Sequence, residues 1–223
     1  GFTVYVVYTD APTGMPEDER INYIQFPFVF QPWEELPNRE DLLLKMKFPQ
    51  KAARRWDKGR KVSYGSRLAK EAGCDYLMAL DSDDLLSRHF LAYLSSRARE
   101  GNCAGWFMDK GYLYKEGARS LLYVPNHMTG LNGSTHVLRS DLVRIPDFRS
   151  QEWLDYNLFT DHGWVRYRVE EEYGAKLEAV PLPMLVYVVH ASNMSGVYQK
   201  EFGWHWKAIA KRLLRTRFLT KKL

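Results

Sequence analysis

The chain holds only two cysteines in 223 residues, Cys74 and Cys103. Two thiols make no disulfide framework, so a reducing, cytoplasmic compartment is expected. No apolar run approaches the roughly 18 to 20 residues of a membrane span. No signal peptide is visible, and the first residue is Gly1 rather than Met, so a processed form or a piece of a longer chain is expected. Internal repeats, low-complexity segments and a clear linker are missing. A phosphate loop of the form G-x-x-x-x-G-K-[ST] is absent, which argues against a P-loop NTPase and against reading any acidic strand here as a Walker-B strand. Charge of one sign is in small excess: 32 Lys and Arg against 27 Asp and Glu give +5 at pH 7. That is too mild to argue for nucleic acid, and none is expected as a partner.

What remains is an ordinary soluble composition, 45% hydrophobic and 26% charged, long enough for one large α/β domain. Residues 2–8 are β-branched and aromatic and read as a central strand. Ile21–Phe26 reads as a second strand and Asp41–Phe48 as a short helical turn. Residues 50–60 form a basic run, with Lys51, Arg54, Arg55, Lys58 and Arg60, then Lys61. The run is either a solvated helix face or a clamp for a diphosphate. Lys61–Ala72 reads as a helix stopped by Gly73. Gly105–Met108 reads as a strand, and Gly111–Tyr114 with Ser120–Val124 as a hairpin around Gly117. Val137 and Leu138 open a strand or a helix. Val165–Tyr173 reads as a helix closed by Gly174, and Leu177–Val180 and Leu185–Val189 as strands. Residues 200–223 read as one basic amphipathic helix. Trp204, Ile209, Leu213 and Leu214 lie on one side, with Lys207, Lys211, Arg212, Arg215 and Arg217 elsewhere. That helix either touches an anionic membrane surface or is simply solvated.

The most informative stretch is Asp81-Ser82-Asp83-Asp84. It ends the apolar run Tyr76–Leu80, which reads as a buried strand. It precedes Ser87, a good N-cap, and a helix over Arg88–Glu100 with Gly101 at its stop. Ligands of open α/β sheets bind beyond the carboxyl ends of strands. Three carboxylates in four residues there repel one another unless a cation or proton neutralises them. The plain alternative is a capping turn. An EF-hand starting at Asp81 is excluded because its sixth and twelfth places hold Leu86 and Ala92 rather than Gly and Glu. Further along lie Gly133-Ser134, where glycine allows close backbone approach; Asp161, well placed to cap the helix after it; and His190 at a strand end, followed by Asn193 and Ser195.

In this order the motifs resemble the GT-A-fold glycosyltransferases, in particular the large family-2-like group. Cys74–Asp84, CDYLMALDSDD, looks like that family's metal-site strand. Gly133-Ser134-Thr135, Asp161-His162 and Tyr187–His190 with Asn193 and Ser195 follow its sequence order. The resemblance covers roughly residues 2–200. It implies an α/β fold of GT-A (Rossmann-like) type, with a mixed, mostly parallel sheet flanked by helices. A glycosyltransferase domain would cover 1–200 and a basic C-terminal helix 201–223. It also implies transfer of a sugar from a nucleotide-diphosphate donor, UDP-type foremost, to a saccharide or lipid-linked acceptor. Mn²⁺ or Mg²⁺ would be held by Asp83, by Asp81 directly or through water, and by His190. Asp81 and Asp10 would lie near the nucleotide, Asp84 near the sugar or behind the metal, and Gly133 and Ser134 along the donor. Lys58 and Lys61 would approach the phosphates. Asp161 would be the general base, and one base with no covalent nucleophile gives inversion.

Two departures stand out. Residues 2–8 resemble the family's second strand, so its first β-α unit is expected to be missing here, and the usual acidic dyad is reduced to Thr160-Asp161-His162. Two rivals remain: a nucleotidyltransferase of related fold, which would normally show a Gly-rich phosphate loop near its first strand, and a catalytically silent carbohydrate-binding domain.

Overall fold

A computed structural model describes residues 1–36, 39–40, 49–99, 103–190 and 197–218. The chain is mixed α/β. In chain order its elements are β1 (Val4–Tyr8), β2 (Ile21–Gln25), α1 (Pro49–Glu71), β3 (Tyr76–Met78), β4 (Leu85–Leu86), α2 (Phe90–Arg99), β5 (Gly105–Phe107), β6 (Gly111–Lys115), β7 (Ser120–Val124), β8 (His136–Arg139), α3 (Val165–Tyr173), β9 (Glu178–Ala179), β10 (Leu185–Val189), α4 (Val197–Phe202), α5 (Trp206–Arg215) and β11 (Thr216–Phe218). They fall into two compact units. One comprises Gly1–Ala79 and Leu138–Gly174, the other Leu80–Val137 and Ala175–Leu223.

In the first unit β1 and β2 pair in parallel, Val4 opposite Ile21 through to Tyr8 opposite Gln25. This corrects the expectation of a central strand. Among the described residues β1 and β2 make a two-stranded sheet, and the side chains of β1 are exposed or half-buried. Helix α1 covers β1 so closely that a methyl group at Gly65 would touch Val7 Cγ2 at 3.2 Å. The basic run and the following helix are one element rather than two. Pro49 suits a first helical position, and no further proline interrupts the 23-residue helix that it opens. The inner face of α1 places Ala52, Ala53 and Trp56 against Leu36, Trp153 and Tyr156, all buried, with Trp33 and Phe148 packed on the cluster. Trp56 meets Tyr156 edge-on at 5.1 Å between centroids. Arg60 is buried, its guanidinium 4.6 Å from the Phe28 ring centre and its Nη1 donating to Gln31 Oε1. Asp41–Phe48 lies outside the described residues.

In the second unit five strands form a mixed sheet in the order β11-β7-β6-β10-β4. The expected hairpin is present: β6 and β7 are antiparallel, and Gly117 takes a positive φ of 78° in the turn. β10 runs parallel to β6 and antiparallel to β4. Its alternation of Leu185, Tyr187 and Val189 inward with half-buried valines between them is the period-2 signal of a strand. β5 and β9 pair in parallel, Trp106 opposite Glu178 and Phe107 opposite Ala179. The backbones of β6 and β10 approach so closely that a methyl group at Gly111 would sit 2.8 Å from Leu185 O and 3.0 Å from Met128 Cε.

The expected single C-terminal helix over 200–223 is, among the described residues, two helices and a strand, and 219–223 lie outside them. Gly203 breaks the run, and the break is tied on both sides. Lys211 Nζ donates to Glu201 at 2.9 Å, and Arg212 donates to Gly203 O at 3.0 Å. His205 caps α5, its Nδ1 accepting from Ala208 N at 3.3 Å. After Arg215 the chain turns extended, and Thr216–Phe218 pairs with β7.

Candidate functional site

The acidic corner belongs to the second unit, and the structure shows what holds it. Asp84 N donates to Asp81 O at 3.1 Å, closing a tight turn. Asp81 N donates to Ser134 Oγ at 2.8 Å, and the same hydroxyl donates to Asp84 Oδ2 at 2.6 Å. Asn132 Nδ2 donates to that oxygen as well, at 2.7 Å. Asn132 is itself locked in place. Its Oδ1 accepts from Ser134 N at 2.6 Å, and its carbonyl accepts from Thr135 Oγ1 at 3.0 Å. The segment 132–135 is thus a buried polar clamp on the corner. Ser134 spends its hydroxyl on both ends of the turn and is fully buried, so it acts on the site by holding Asp81 and Asp84.

Asp84 is 7% exposed, and its two oxygens differ sharply. Oδ2 takes two hydrogen bonds, whereas Oδ1 is buried with no hydrogen-bond partner among the described residues. Burial raises the carboxyl pKa to about 6; the bonds from Ser134 and Asn132 oppose the rise, and the charges of Asp81 and Asp83 add to it. A buried carboxylate with an unbonded oxygen is costly, and such groups call for an explanation such as an ion or a role in chemistry.

Asp83, half-buried on the same corner, meets His190 at the end of β10. His190 Nε2 lies 2.9 Å from Asp83 Oδ2. The short strand β4 accounts for this meeting. Leu85 and Leu86 pair with Val186 and Leu185, which brings the acidic corner alongside β10. Carboxylate oxygens and one imidazole are donors that suit Mn²⁺ or Mg²⁺ in kind. Among the described residues, however, no group of three or more His, Cys, Asp or Glu side chains is arranged to hold a metal ion.

The structure therefore gathers Asp81, Asp83, Asp84, Gly133, Ser134 and His190 in one unit. Asp10, Lys58, Lys61 and Asp161 belong to the other. Asp10 is exposed just beyond β1. Lys58 lies half-buried on α1. Lys61 is held by Asp57, with 2.7 Å from Nζ to Oδ2, which leaves less of its charge for an anion. Asp161 precedes a short 3-10 turn, His162–Trp164, but its side chain makes no capping hydrogen bond. Asn193 and Ser195 lie outside the described residues. The residue that sequence reasoning missed is Asn132. Its signal was its place beside Gly133-Ser134, but a side-chain amide reaching 48 positions back to Asp84 leaves no periodic trace.

No protein-family model matches the chain, and no curated protein matches it.

Proposed function

We propose that the chain is a metal-dependent glycosyltransferase of GT-A type. It moves a sugar from a nucleotide-diphosphate donor, UDP-type foremost, to a hydroxyl of a saccharide or lipid-linked acceptor, with inversion. One observation carries this reading: Asp83 and His190, 107 positions apart, meet at 2.9 Å beside the buried, half-satisfied carboxyl of Asp84. Charge of that density at a strand-end corner suits a cation bridging a diphosphate better than it suits a capping turn.

Asp83 and His190 would hold Mn²⁺ or Mg²⁺, with Asp81 beside them. When bound, the ion neutralises the charge that develops on the leaving diphosphate, with no proton transfer. Asp84, fixed by Asn132 and Ser134, keeps the turn in shape and its free oxygen available. Asp161, whose carboxylate is not spent on capping, would take the proton from the acceptor hydroxyl as that oxygen bonds to the anomeric carbon and the nucleoside diphosphate leaves. No covalent nucleophile enters this scheme, so the configuration inverts.

The test is thermal stabilisation by UDP, GDP, CDP and dTDP with and without Mn²⁺, on the wild type and on Asp83→Ala. The expected result is a rise in melting temperature with UDP that requires both the metal and Asp83. No rise with any nucleotide in the presence of metal overturns the reading.

A further inference from the structure

Helix α5 is amphipathic the wrong way round for a helix packed on a core. At 100° per residue, Trp206, Ile209, Ala210, Leu213 and Leu214 share one arc, and Lys207, Lys211, Arg212 and Arg215 take the rest with Ala208. The buried side chain is Ala208, at 0% exposure, on the basic side. The apolar arc points to solvent: Trp206 is 73% exposed, Leu213 82% and Leu214 77%. Trp204, in the turn before the helix, is also almost fully exposed. The basic side is partly tied down, Lys211 to Glu201 and Arg212 to Gly203 O. Residues 203–218 carry five Lys and Arg and no Asp or Glu.

We infer that the outward face of α5, with Trp204, docks on the interface of an anionic phospholipid bilayer. Contiguous exposed apolar side chains mark interaction surfaces. Two of those here are indoles, which favour the headgroup level of a bilayer, where one edge is apolar and the other wet. Lys211 is paired with Glu201. The other surrounding cations, Lys207, Arg212, Arg215 and Arg217, have no acid beside them in sequence over 203–218 and match an anionic surface, and long Lys and Arg stems let a charge reach the headgroups while the helix lies flat. A symmetric pairing of two copies through this face would instead bring five cations of each copy together. Insertion across the bilayer is not the mode. Ten residues span about 15 Å, half the hydrocarbon thickness, and among the described residues no helix is long and apolar enough to cross a membrane.

The experiment is sedimentation of the full chain with vesicles of pure phosphatidylcholine and of a two-to-one mixture of phosphatidylcholine and phosphatidylglycerol. The wild type is expected to bind the anionic vesicles at least ~10-fold more tightly, with affinity falling as salt rises. The triple variant Trp206→Ser, Leu213→Ser, Leu214→Ser is expected to lose that binding ~10-fold or more at an unchanged melting temperature. Should the triple variant fail to fold, Lys207→Glu with Arg217→Glu, both exposed, is expected to remove the preference for anionic vesicles. Absence of wild-type binding, equal binding to both vesicle types, or binding that survives the substitutions overturns the inference. So does a dimer in sedimentation velocity that the triple substitution dissolves while vesicles bind nothing.

Discussion

His190 Nε2 stands 2.9 Å from Asp83 Oδ2, and neither side chain is deeply buried: 26% and 36% remain exposed. A pair so open to water contributes at most about 1 kcal/mol to folding. Replacing either residue should therefore leave stability nearly unchanged. If the pair serves a cation, Asp83→Ala and His190→Ala should each weaken Mn²⁺ binding by about tenfold or more, because losing a direct ligand costs at least as much as losing an outer-shell partner. Mn²⁺ titration followed by electron paramagnetic resonance measures this directly. A melting temperature that drops sharply while Mn²⁺ affinity holds would make the pair structural.

Asp84 makes the opposite prediction: its replacement by Asn should stabilise the metal-free protein. The amide oxygen can keep the two hydrogen bonds from Asn132 and Ser134, and the amide nitrogen takes the place of the unbonded oxygen. The sign follows from the raised pKa. Below about pH 3.8 the carboxyl is protonated in both folded and unfolded chains and contributes nothing. Between 3.8 and about 6 the unfolded chain ionises while the folded carboxyl resists, so stability is lost as pH rises, and above 6 the full cost stands. Two pKa units correspond to on the order of 2 kcal/mol after allowance for relaxation. The Asn variant should gain its advantage over the wild type between pH 4 and 6 and hold it above. Urea unfolding in the presence of a chelator, across pH 4 to 8, reads this out. An Asn variant less stable than the wild type at pH 7.5 would show that the charge itself supports the fold.

Strands built from runs of apolar, β-branched and aromatic residues were legible in the sequence. Leu185–Val189 and the hairpin around Gly117 stand where those runs place them. The approach of residue 190 to residue 83 was legible only through the order of motifs, because no local pattern reports which distant segment returns to a strand end. The two residues of β4, which bring it about, are too few to show a period. Helix α1 was read as two pieces because its basic stretch hides the buried Ala52, Ala53 and Trp56. The outward face of α5 was unreadable for a more basic reason. Periodicity reports that a helix has an apolar side and says nothing of which way that side turns.

Gly59 lies inside α1, where Ala would normally be about 1 kcal/mol better than Gly. Here a methyl group would stand 2.5 Å from Tyr156 O and 3.1 Å from Tyr156 Cβ. The obstacle is backbone, which cannot swing aside as a side-chain tip can, and Tyr156 is pinned through its hydroxyl to Asp147 O and Ser150 O. Overpacking of a filled site costs about 1–3 kcal/mol, so the clash outweighs the propensity gain. Gly59→Ala should lower stability by about 1–2 kcal/mol in chemical denaturation, and a stabilised variant would mean that residues 153–156 shift freely away from α1.

Asp161→Asn separates two readings that share a position. As a helix-capping residue, Asn is as good as Asp, so the substitution should leave the melting temperature unchanged whether or not the side chain ever caps. It makes no capping hydrogen bond in this structure, which removes even that contribution. As a base the two differ completely, since an amide at this place has no affinity for the acceptor's proton. General-base catalysis contributes typically about 10²- to 10⁴-fold. The expectation is therefore a kcat for sugar transfer reduced by that factor, with donor affinity and melting temperature held. The measurement is release of the nucleoside diphosphate under saturating donor and acceptor, alongside nucleotide titration of both proteins. The Asn side chain has nearly the size and shape of Asp, so loss of turnover with binding intact could not be laid to repacking. Unchanged turnover would remove Asp161 from the chemistry and leave the deprotonation to another group, while the metal-site reading would still rest on Asp83 and His190.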